Sequence, residues 1–159
     1  MKPLKILMFF LLLCQFAIAQ TDKDEQNDKA EKPKGPVVVT KIVLDSFHKA
    51  YPGIVKATWE YGDGFYEVVF KKDSVDMTVD YDVYGNWQEI ETEIKIEQLP
   101  QAARDYIVKN YGSFTLTSAS KIETDNYDLA YVAQIGKHGK FWDITFDAKG
   151  KFLKEEEAD

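Results

Sequence analysis

The chain has a single cysteine, Cys14, and it falls inside an apolar stretch at the very start. Beyond residue 19 there is none, so the rest of the chain can form no disulfide, no thiol nucleophile and no thiolate zinc site. Histidine is nearly as scarce, with only His48 and His138. His48 precedes Lys49 in a helical stretch, and His138 lies in the turn sequence Gly136-Lys137-His138-Gly139. Neither has a serine or aspartate at motif spacing, and the chain has no glycine-rich phosphate loop, zinc signature or nucleophile elbow. Paired carboxylates could serve a glycosidase, but acids spread over a small sheet without a cleft argue against one. The residues therefore imply no enzyme and no cofactor.

A basic excess is also missing. The 20 lysines and arginines are outnumbered by 27 acids. Removing residues 1–19 takes away Lys2 and Lys5, which leaves 18 basic residues and a net charge of −9. That balance speaks against nucleic acid and anionic membranes as partners, and weakly for a basic or cationic one. A long apolar run is lacking as well. Ile6–Leu13, extended by Cys14, Phe16 and Ile18, is shorter than the ~20 residues a membrane helix needs. With Lys2 and Lys5 before it and Ala17-Ile18-Ala19 after it, this stretch has the form of a secretory signal cleaved ahead of Gln20. Leu13 before Cys14 is too large for a lipobox, so lipoprotein anchoring is not expected. A periplasmic or extracellular location follows, with no span in the mature chain. Residues 20–36 are polar and end in Gly35-Pro36, the composition of a flexible tether.

The remaining residues, 37–159, hold a weak internal repeat. LDSFHKAY (44–51) aligns without gaps with RDYIVKNY (104–111), and Asp82-x-x-Gly85 matches Asp147-x-x-Gly150. Two units are expected, about 37–97 and 98–159. Each opens with a helix. Val39, Val43, Phe47 and Ala50 form one stripe, with Thr40 placed to cap it, and Leu99, Ala103 and Ile107 form the other after Pro100. Alternating runs predict strands near 54–61, 65–71, 76–82 and 86–96, then near 115–122, 127–135, 140–147 and 151–155. Asp63-Gly64 marks a hairpin. The fold class is α+β: α-β-β-β-β twice, with the helices on one face of an antiparallel sheet and the other face open.

Pairing Tyr61 with Tyr66, Lys71 with Asp76 and Asp82 with Trp87 keeps every apolar alternation on one side, Val55 and Trp59 included. The outer face then carries a row of acids, Glu60–Glu67–Asp80–Glu89. This is a solvated face on the simpler view, and a cation site on the sharper one. Calcium is possible there but not favoured. Asp80-x-Asp82-x-Tyr84-Gly85-Asn86, with Glu91 in the twelfth place, superficially fits a calcium loop, but Tyr84 is a poor ligand and a hairpin turn fits better. The same register puts Phe65, Val69 and Trp87 outside. Pairing Ile135 with Lys140 adds Ala130, Val132 and Phe141, with Phe152 beside Asp147. Aromatic side chains on an open sheet face are candidate anchors for a partner protein.

The tyrosine-ended helix, Ala57-Thr58-Trp59-Glu60, Tyr66-Glu67-Val68, Asp82-x-x-Gly85-Asn86-Trp87 and Leu99-Pro100 together resemble the PepSY-like family of secreted bacterial proteins, described as β-lactamase-inhibitor-like. The resemblance covers roughly residues 37–159. It implies tandem helix-plus-meander units, no catalysis, and an inhibitory or partner-binding role. The chain lacks the cysteines from which the β-lactamase inhibitory protein builds a disulfide in each unit, and no inhibitor contact residue carries over. The expected function is a secreted, non-catalytic protein-binding module using the open face. Cation or small-ligand binding through the acidic row, or a structural accessory domain, are the alternatives.

Overall fold

The computed structural model describes residues 37–126 and 128–158. The export signal and tether expected over 1–36 lie outside the described residues. The order of elements is α1 (Lys41–Ala50), β1 (Ala57–Gly62), β2 (Phe65–Lys72), β3 (Val75–Asp82) and β4 (Trp87–Ile94), then a 3-10 turn at Ile96–Gln98, α2 (Gln101–Asn110), β5 (Thr115–Thr124), β6 (Leu129–Lys137), β7 (Lys140–Asp147) and β8 (Phe152–Ala158). All eight strands form one antiparallel sheet in chain order. The fold is α+β, as the alternation predicted.

Helical spacing decides what each helix buries. In α1, Val43 and Phe47 lie one turn apart and are both buried. They pack with Val68, Phe70, Val79 and Tyr81 of the sheet, and Phe47 meets the rings of Phe70 and Trp59 edge-on. In α2, Ala103 and Ile107 play that part against Ala119, Ala133, Ile135, Ile144 and Phe146. Each of these large side chains contributes ~2 kcal/mol or more by leaving water. Ile90 packs against the first cluster and Ile94 against the second. They lie four residues apart on β4, where side chains alternate, so both helices cover the same face. Trp59 is half-buried at the margin of the first cluster.

Several local expectations change. Val55 precedes β1 and is 94% exposed, so it belongs to neither core. Thr40 occupies the N-cap position of α1, but its side chain makes no capping hydrogen bond. Between β6 and β7 the pairing is Ile135 with Trp142 and Lys137 with Lys140, two residues from the expected register. His138 and Gly139 both have positive φ, which closes a two-residue hairpin and draws the strands to that tighter register. An even shift keeps every side chain on its expected face.

The pairing of Asp82 with Trp87 is also corrected. The Asp82 N–H donates to the Asn86 carbonyl at 2.9 Å, and one Asp82 carboxylate oxygen accepts from the Tyr84 and Asn86 N–H groups, each at 2.9 Å. This closed turn leaves an extra residue in β4, and Trp87 pairs with Tyr81 across a bulge. Asp147 builds the same kind of turn with Lys149 and Lys151, and Phe152 pairs with Phe146 across a second bulge.

Candidate functional site

Both helices pack on one face, so the other face carries no helix among the described residues. Its side chains come from the alternate positions of each strand, and the register brings them into rows. Glu60 pairs with Glu67, Glu67 with Asp80, and Asp80 with Glu89, which is the expected row of acids. Beside it, Thr78 pairs with Glu91, Glu91 with Ile122, and Ile122 with Ala130. Further along, Val132 pairs with Thr145, and Gln134 with Asp143.

This face is not evenly solvated. Asp80 is 8% exposed, and its Oδ1 atom is buried without a hydrogen-bond partner. Thr78, Thr124 and Thr145 are also buried there, and Ile122 is 1% exposed although it belongs to neither hydrophobic cluster. Loss of water, reinforced by the nearby Glu91, pushes the Asp80 carboxyl up to about 6. Loss of water, with Asp80 and Glu91 adding to it and Lys154 opposing it, pushes Glu89 up to about 8. Burial also raises Glu91, against a hydrogen bond from Ser120, and raises Asp143, against one from Gln134. Like charges this close cannot all ionise without cost, and of these groups Glu89 is raised past neutral pH.

Of the candidate anchors, Phe65, Val69, Val132 and Phe141 are on this face. Phe65 pairs with Asp82 and Val69 with Thr78. Phe141 is 41% exposed, and its ring covers Gly136, where an added Cβ would stand 2.9 Å from Cε1. Trp87 and Phe152 are corrected. The bulges set them opposite Tyr81 and Phe146, which are core residues of the helix-bearing face. Phe152 stacks on Tyr106 of α2, with centroids 5.0 Å apart and ring planes 13° from parallel. Ser46 stands at the aligned place in α1 and offers no ring, which leaves Trp87 36% exposed at the rim.

The acidic row does not close around an ion. Among the described residues, no group of three or more histidine, cysteine, aspartate or glutamate side chains is placed to hold a metal. Asp82 of the calcium-loop pattern is engaged by its own turn, with Asn86 Nδ2 donating to its second oxygen at 2.9 Å. Three further residues contribute to the face beyond the expected row: Glu91, Asp143 and Ile122. The alternation Glu89-x-Glu91-x-Glu93 would have found the first. Ile122 was hidden because an apolar residue in a strand is assigned to the core by default.

No curated protein matches the sequence. Solved structures do match the fold. A structure described as one of the "putative periplasmic proteins" from Bacteroides eggerthii superposes with a TM-score of 0.70 at 17% identity, over 76% of this chain and 90% of that one. A BLIP-like protein from Bacteroides fragilis superposes with a TM-score of 0.63 at 24% identity, over 79% of this chain and 91% of that one. No helix among the described residues is long and apolar enough to cross a membrane. Residues 64–154 match the family described as "Putative beta-lactamase-inhibitor-like, PepSY-like". With more than half of its length inside that match, the chain belongs to the PepSY-like family.

Proposed function

We propose that the protein is an exported, non-catalytic binding module that engages a partner protein through the helix-free face of its sheet. One observation carries this reading. That face sets a buried acid without a hydrogen-bond partner and a buried isoleucine beside the exposed Phe141 and the half-buried Phe65, an arrangement that costs folding stability and that a partner bringing a donor would stabilise. The inhibitor-like description of the family supports a protein partner, and inhibition is one form such binding takes. The signal-like residues 1–19 support export, and a similar fold described as periplasmic agrees with it. We also read the two helix-plus-four-strand halves as a duplication. The aligned helices both end at a tyrosine, and the Asp82 and Asp147 turns each set up a bulge one strand later.

Site-specific photo-crosslinking in the native host tests the face. A crosslinker in place of Phe65 or Phe141 captures a protein partner, and one in place of Val108, exposed on α2, does not. Capture from Val108 alone refutes the proposal. Removing one anchor, as in Phe141→Ala, weakens the captured complex by ~2 kcal/mol or more.

A further inference from the structure

We infer that the helix-free face receives an arginine side chain from its partner, seated between Asp80 and Glu89 at the centre of the acidic row. This rests on the proposal that a protein partner docks on that face. Asp80 and Glu89 are direct cross-strand partners, with Glu67 on the far side of Asp80 and Glu91 two residues along β4. Opposing residues on neighbouring strands hold their Cβ atoms ~5 Å apart, a spacing that one planar guanidinium can bridge. Asp80 supplies an independent sign of a missing donor. It is 8% exposed, and its Oδ1 has no partner. A buried acceptor of this kind needs either a proton or a donor brought in from outside.

Among the described residues, the lysines of the face are engaged by other acids. Lys71 pairs with Asp76 at 2.7 Å, and Lys154 pairs with Glu156 at 2.5 Å. A divalent metal is the wrong occupant, because no set of three ligands converges among the described residues. Calcium takes at least six oxygens. A lysine ammonium is compact, strongly hydrated and readily neutralised when desolvated. A guanidinium keeps its charge and presents a fork of donors to two carboxylates at once. Arginine is therefore the side chain whose chemistry fits.

The probe is acetyl-hexaarginine amide, titrated into the protein and followed by backbone amide shifts. Hexalysine of the same length is the comparison. The expected result is hexaarginine binding with the largest shifts at Asp80, Glu89 and Glu91, weakened roughly tenfold or more by Glu89→Gln and by Asp80→Asn. Glu155→Gln, on the helix-bearing face of β8, leaves it unchanged. Affinity also rises between pH 6 and pH 8.5, because the site gives up protons to accept the cation. The groups bearing on Glu89 are Asp80 from β3, Glu91 from its own strand and Lys154 from β8, and Asp143 of β7 bears on Glu91. Glu67 of β2 faces Asp80. Equal affinity for hexalysine, shifts centred on Glu155–Glu157, or full binding by Glu89→Gln would overturn the assignment. Neither substitution introduces a charge or changes side-chain size, so loss of fold does not mask the outcome, and melting curves check it. A partner crosslinked from Phe65 or Phe141 without hexaarginine binding rejects the arginine site and leaves the face reading standing. Crosslinking from Val108 alone rejects the face reading itself.

Discussion

Asp80 and Glu89 couple folding to pH in the direction opposite to most carboxylates. Their folded pKa values lie above the usual range, at about 6 and about 8, so the native state holds protons that the unfolded chain has released. Wherever the folded state binds more protons, stability falls as pH rises. Below about pH 4 both states are protonated and these groups contribute nothing. Their cost grows between pH 4 and 8 and is complete above that. We therefore expect Glu89→Gln to raise the melting temperature by a few degrees at pH 8.5 and to leave it nearly unchanged at pH 4.5. Melting curves at the two pH values check this, and a loss of stability at both would show that the carboxylate is a structural partner. At the same scale, Trp87→Ala should now behave as a partial core truncation. Trp87 pairs with the buried Tyr81 and is 36% exposed, so a cost of ~1–2 kcal/mol is expected in denaturant unfolding. Phe141→Ala exposes the backbone at Gly136 and should cost less.

The turns show best how far local sequence determines local structure. Asp82-x-x-Gly85 and Asp147-x-x-Gly150 read as turns from the residues alone, and both glycines have positive φ. What the sequence could not show is how tightly each turn meets a helix. An added Cβ on Gly85 would stand 2.9 Å from the Ile42 carbonyl oxygen, and one on Gly150 would stand 2.7 Å from the Ala103 nitrogen. Gly139 also has positive φ but faces open space. Gly139→Ala should therefore cost about 1 kcal/mol from backbone strain alone. Gly85→Ala and Gly150→Ala should cost ~3 kcal/mol or more, because helix backbone must move. Equal costs at all three positions in chemical denaturation would mean that the helix contacts are slack. The strands themselves were legible because alternation survives any even shift in register. The two bulges were not, since each depends on an aspartate folding back onto its own turn. That one extra residue puts Trp87 and Phe152 on the helix-bearing side, while Phe65, Val69, Val132 and Phe141 keep the face that alternation gives them. The acidic row was legible for the same reason as the strands. The burial of Asp80 was not, because alternation gives a face and not a depth.

Across the whole molecule, one sheet joins two separate apolar clusters. Between them on the helix-bearing face, Lys121 and Glu123 form an ion pair at 2.8 Å, so the core is interrupted by polar side chains. Phe47→Ala should remove ~3–5 kcal/mol, as loss of a large buried ring does. Hydrogen exchange should then accelerate across β1–β4 more than across β6 and β7, because the lost packing belongs to the first cluster. Equal acceleration everywhere would mean that β4 and β5 bind the halves into a single cooperative unit. The sequence of strands in space repeats their sequence in the chain. A chain emerging from its N-terminal end therefore finds each new strand's neighbour already in place, and the growing edge is always the strand made last. Among the described residues β8 is the edge strand at that end of the sheet. Glu155, Glu156 and Glu157 lie on that outer edge, where charge discourages a further strand from adding. A chain cut short before Phe152 would instead stop at β7, with Phe141, Trp142, Ile144 and Phe146 along an unpaired margin. Such a fragment is expected to aggregate more readily than the chain that carries β8.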